Sequence, residues 1–158
     1  MVQKYTVVIR GTPHPWRAPQ VVTLPNGMKI AHKDRAELQW KDTVRAEAKT
    51  AGVPYVDGPV TIAVLVVYPR PKGWPKKLRL ARAPKISRPD GDNLLKCIKD
   101  ALQAVVVRDD AQFWQESIQR VYGELGEPAH VVIELEYGEP RIAPADERDR
   151  AAVQEAFF

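Results

Sequence analysis

The sequence predicts an α+β chain of two layers, a small mixed β-sheet with two helices packed on it. Three features carry this expectation. Several strand-length stretches are rich in β-branched residues or alternate apolar with polar. Two longer stretches change to helical spacing. The resulting order, β, hairpin, α, β, α, β, β, places parallel and antiparallel neighbours in one sheet. At 158 residues the chain suits a single domain. Residues 1–140 read as that domain, and 141–158 as a polar tail that is partly disordered or docks on a partner.

Each element follows from local chemistry. Tyr5 to Arg10 is β-branched and reads as a strand. Val21 to Leu24 and Met28 to Ala31 flank Pro25-Asn26-Gly27, and Asn-Gly marks a hairpin because both residues tolerate positive φ. From Asp34 to Ala51 the residues Ala36, Trp40, Val44, Ala48 and Ala51 recur at helical spacing, and Gly52 ends the helix. Val60 to Tyr68 is nearly continuous apolar sequence, expected as a central strand covered on both faces. The stretch after it holds Pro69, Pro71, Pro75, Pro84 and Pro89, so it reads as loop. A second helix is expected from about Asp92, as N-cap, to Val105, burying Leu94, Leu95, Ile98, Ala101, Leu102 and Val105. Strands follow near Gln115 to Tyr122 and over Val131 to Tyr137, the latter alternating cleanly.

Composition excludes several classes. No apolar run approaches the ~20 residues that cross a bilayer. The Met-Val-Gln-Lys-Tyr start lacks an apolar h-region, so a cytoplasmic location is expected. Cys97 is the single cysteine, which removes an intramolecular disulfide and a multi-cysteine zinc site.

Charge is unevenly placed. Residues 1–89 hold 17 Lys/Arg against 5 Asp/Glu, and residues 90–158 hold 7 against 15. Arg70, Lys72, Lys76, Lys77, Arg79, Arg82, Lys85 and Arg88 form the densest run, with no acid between Asp57 and Asp90. Such a run is either a solvated loop or a site for a polyanion such as DNA.

Acids follow at once. Asp90 and Asp92 stand at a loop-to-helix junction, and Asp110 lies in the turn after that helix. If the chain doubles back, the three carboxylates converge. Carboxylates held close repel one another, and a hard divalent cation such as Mg²⁺ relieves this. The metal would then polarise a phosphodiester and activate water. Lys96, four residues after Asp92 on the same helix face, would steer a carboxylate or neutralise charge on the phosphate. Each piece has a plainer reading: Asp92 as a cap, Asp109-Asp110 as a turn, Asp92–Lys96 as a surface pair. There is no calcium loop, P-loop or nucleophile elbow.

Arg-Pro-Asp-Gly-Asp-Asn-Leu-Leu-Lys (88–96), Lys-Asp-Ala-Leu (99–102) and Val-Val-Arg-Asp-Asp-Ala-Gln (106–112) together resemble the RusA family of Holliday junction resolvases, common in phages and prophages. The resemblance implies a RusA-like fold and a metal-dependent endonuclease. It would cut four-way DNA junctions symmetrically as a homodimer, using Mg²⁺ or Mn²⁺. It maps Asp90, Asp92 and Asp110 to the metal-binding catalytic carboxylates and Lys96 to the catalytic lysine. Asp109 takes a supporting role, and Asp100 either stands behind the metal ligands or caps and orients its neighbours. Two other readings stay open: a nucleic-acid-binding module without catalysis, and a nuclease acting on flaps or forks. The long basic proline-rich segment and the tail after Tyr137 depart from the family pattern.

The remaining candidates have bland readings. His14, His32 and His130 show no ligand spacing. Cys97 adjoins the helix's apolar stripe and reads as packing. Trp74 either stacks on an unpaired base or tucks against the domain. Phe113 and Trp114 read as core or interface. Trp16 and Arg17 contact phosphate or brace the site.

Overall fold

The computed structural model describes residues 1–78 and 81–138 of the chain. The expected tail, 141–158, lies outside them. Among the described residues, seven strands and two α-helices form in the order β1 (Gln3–Arg10), β2 (Gln20–Thr23), β3 (Lys29–His32), α1 (Arg35–Thr50), β4 (Val60–Tyr68), β5 (Ala83–Pro84), α2 (Gly91–Leu102), β6 (Phe113–Tyr122) and β7 (His130–Tyr137). The architecture is α+β, as the sequence predicts. Five strands make one mixed sheet in the order β1-β7-β4-β6-β5. Val64 of the central β4 pairs antiparallel with Ile133 of β7 and parallel with Ile118 of β6.

Inward residues of β1, β4 and β7 (Val7, Ile9, Ile62, Val64, Val66, Ile133, Leu135) meet Val44 and Ala48 of α1. They also meet Leu94, Ile98, Ala101 and Leu102 of α2. Both helices lie on this one face. The expectation that β4 is covered on both faces is therefore corrected. Ala63 and Leu65 stay half-buried and line an open groove with Ser117, Gln119, Val132 and Glu134. The continuous apolar run hides the two-residue period that distinguishes the faces.

Other differences are local. In α1, Asp34 caps the Ala36 amide at 2.9 Å, and Gly52 adopts the expected left-handed φ of +72°. The buried stripe of α1 includes Glu37 and Lys41, which hydrophobic periodicity passes over. Lys41 Nζ lies 2.8 Å from Glu37 Oε1 and 3.4 Å from Asp100 Oδ2, so the buried charges are paired. Helix α2 starts at Gly91, and its N-cap is Asp90 rather than Asp92. It ends at Leu102, short of Val105, because Ala104 turns to φ +66°. Two-residue β5 was not expected; Pro84 is tolerated because β5 is the sheet edge. The β2–β3 hairpin forms with all eight strand residues exposed. Among the described residues, no helix is long and apolar enough to cross a membrane.

Candidate active site

The junction of the Pro-rich loop with α2 is built from beneath. The Lys85 amide donates to the Arg120 carbonyl at 2.9 Å, extending the β5–β6 pairing by one bond. Lys85 is 8% exposed. Its ammonium donates to the Ser87 carbonyl (3.0 Å), the Ser87 hydroxyl (2.9 Å) and the Arg88 carbonyl. It also faces the rings of Tyr68 and Tyr122, at 4.7 and 5.9 Å. Arg120 Nη1 donates to the carbonyls of Ser87 (3.0 Å) and Pro89 (2.7 Å). The Arg88–Pro89 peptide is cis. Gly91 follows tightly. A Cβ there would sit 3.2 Å from Ile118 Cγ2 and 3.4 Å from Arg120 Nε.

Above this base Asp90, Asp92 and Lys96 are all exposed. Asp90 has N-cap backbone angles, φ −71° and ψ 147°, yet its carboxylate makes no capping bond. Among the described residues neither Asp90 nor Asp92 has a side-chain hydrogen bond or ion pair. The neighbouring acids differ. Asp109 caps the Ala111 amide at 2.8 Å within a capping box, and Asp100 faces Lys41. Fold stability thus employs Asp100 and Asp109 and leaves Asp90 and Asp92 to face solvent. Lys96 is held from the side: its ammonium lies 3.5 Å from the Trp16 ring centroid. The Trp16 amide donates to the Asn93 carbonyl at 3.0 Å, and the Arg17 amide donates to Glu37 Oε2 at 3.1 Å. The early Pro-rich segment therefore braces the site.

Asp110 lies elsewhere. It precedes Phe113, which pairs with Val60 at the start of β4. Arg120, seven residues along β6, touches the Asp90 end of α2. Lys99, near the other end of α2, meets Glu116 at 2.6 Å. Twelve-residue α2 is about 18 Å long and separates Asp110 from Asp90 and Asp92. The expected convergence within one chain is corrected. The chain turns back along α2 only after Asp110, so Asp110 stands by the far end of that helix, where β6 begins. Among the described residues, no group of three His, Cys, Asp or Glu side chains stands ready to hold a metal.

The basic run is also divided. Lys85 points inward, Arg82 pairs with Glu127 at 2.8 Å, and Arg70 donates to the carbonyls of Gly123 (2.9 Å) and Ala81. These three cations brace the loop, which amends the expectation that the whole run faces a polyanion. Lys72, Lys76, Lys77 and Arg88 are exposed. Arg79 lies outside the described residues. Trp74 tucks against the domain, edge-on to Tyr122 at 4.9 Å and beneath Arg70. His14 and His130 make local contacts with backbone carbonyls. Phe113 is buried, Trp114 is exposed, and Cys97 is buried with its thiol pushed up to about 12 by desolvation.

Arg120 and Tyr68 were missed in the sequence. Each sits in a strand pattern, and only the fold brings them to the loop.

A family model described as endodeoxyribonuclease RusA matches residues 11–136. No curated protein matches the chain.

Proposed function

The chain belongs to the RusA family of endodeoxyribonucleases, which resolve DNA junctions, and on that premise we propose that it nicks four-way junctions as a homodimer in a Mg²⁺-dependent reaction. The observation that carries this reading is the pair of unpartnered carboxylates, Asp90 and Asp92, beside the exposed cation Lys96.

Two exposed carboxylates are hard oxygen donors of the kind Mg²⁺ or Mn²⁺ takes. They fit part of a metal site, and among the described residues of one chain no third acid joins them. A two-fold dimer resolves this. In such a dimer Asp110 of each copy would complete the acid set that Asp90 and Asp92 of the other begin. Once held, such an ion would supply the charge that activates water and stabilises the leaving oxygen. Lys96 adds a cation at the scissile phosphate, held in place by the Trp16 ring. Lys72, Lys76, Lys77 and Arg88 bind backbone phosphates, which positions the DNA without reading its sequence. Junction preference comes from the spacing of two sites across a two-fold substrate, so that both strands are nicked symmetrically.

The test uses a labelled four-way junction with matched flap, fork and duplex controls. Nicking is expected with Mg²⁺ and not in EDTA, most strongly on the four-way junction. Asp90→Asn is expected to bind the junction and leave it uncut. Binding that persists in EDTA with no cleavage of any branched substrate would make the chain a non-catalytic binding module.

A further inference from the structure

We infer that Lys85 and Arg120 are positioning residues for Asp90: two inward-facing cations that grip the three carbonyls before it and so fix the direction in which its carboxylate leaves the loop. The inference rests on the reading of Asp90 as a metal ligand. It goes beyond that reading in assigning the catalytic geometry to a pair of residues that touch neither metal nor DNA.

Three consecutive residues, Ser87, Arg88 and Pro89, present their carbonyls to these two side chains. Ser87 is held twice, by Lys85 and by Arg120. No other backbone segment among the described residues is held by two side-chain cations. Neither cation has an acidic partner among the described residues. A buried ammonium without a carboxylate is expensive, so its retention needs a return. Here the ammonium is stabilised by three oxygens and by the faces of Tyr68 and Tyr122. The Tyr68 hydroxyl is buried without a protein partner. Desolvation pushes its pKa up, and the Arg120 guanidinium, held at the Ser87 and Pro89 carbonyls, partly offsets this.

The consequence is geometric. Asp90 sits in a bridge between the gripped carbonyls and Gly91, which itself abuts Ile118 and Arg120. With no capping bond of its own, the Asp90 carboxylate is aimed by its backbone alone. Loosening the loop therefore disperses the carboxylate while leaving Lys76 and Lys77, outside the gripped segment, in place. A ligand that wanders by an ångström loses catalysis more than binding.

Lys85→Met and Arg120→Gln remove each grip, and Arg120→Lys keeps the charge while removing the fork. Hydrogen exchange on the metal-free protein reads the loop directly, and junction nicking in Mg²⁺ reads its consequence. In Lys85→Met and Arg120→Gln, amides of 86–91 are expected to exchange at least tenfold faster, with β4 and β7 unchanged. The value of kcat is expected to fall at least tenfold, with KM within threefold and Arg120→Lys intermediate. Unchanged exchange and unchanged kcat in the folded variants would overturn the inference, as would a uniform loss of protection across the domain. If Lys85→Met fails to fold, Arg120→Gln and Arg120→Lys decide by the same readouts. If the unmodified protein nicks no junction, the proposed function fails and the exchange arm alone decides whether the pair holds the loop.

Discussion

The Lys96 ammonium rests 3.5 Å from the centroid of the Trp16 indole, and the Trp16 amide bonds the first turn of the helix that carries Lys96. The early Pro-rich segment and α2 are thereby one unit. A cation over an indole gains about 0.5–2 kcal/mol. Trp16→Leu is expected to lower the nicking rate by about threefold to thirtyfold, with Trp16→Phe close to wild type. Steady-state kinetics on a four-way junction checks this.

Asp34 and Asp90 occupy equivalent positions, each the N-cap of its helix, and only Asp34 makes the capping bond. Asp34→Ala is expected to cost about 1 kcal/mol of stability. Asp90→Asn is expected to stay within about 0.5 kcal/mol of wild type while losing nicking. Urea unfolding monitored by tryptophan fluorescence separates the two.

Glu37 and Lys41 are buried together on α1. Removing Glu37 leaves buried Lys41 with only the longer contact to Asp100, and Glu37→Ala is expected to destabilise by about 3 kcal/mol, the low end for a broken buried pair. The loss also frees the Arg17 amide, so the Trp16 brace should loosen, which hydrogen exchange at 14–18 would detect.

Cys97 is fully buried, and desolvation raises its thiol from 9.0 to about 12. The fold favours the protonated form. That contribution is complete below pH 9.0 and is lost as pH rises toward about 12. At pH 8 a thiol reagent should label Cys97 only at the rate of unfolding. Rapid labelling of the native protein would contradict this.

Much of the fold was legible because its signals are local. Asn26-Gly27 makes the hairpin turn, Asp34 and Gly52 bracket α1, and β4 spans Val60 to Tyr68 as expected. The open face of β4 was not legible, since Ala63 and Leu65 are apolar whether covered or not. The acids and Lys96 were found by motif. Their arrangement was not, because the end of the sheet at which β6 begins is a matter of topology. The basic run misled in part, since sequence cannot tell a cation facing water from one folded inward, as Lys85 is.

The central proposition is that each acid site draws on two copies, Asp90 and Asp92 from one and Asp110 from the other. Mixing inactive Asp90→Asn protein with inactive Asp110→Asn protein, after exchange of subunits, tests it directly. A shared site leaves one intact set in every mixed dimer, so nicking should return to about a quarter of wild type at equal mixing. A mixture that stays as inactive as its parents, with subunit exchange verified, would contradict it.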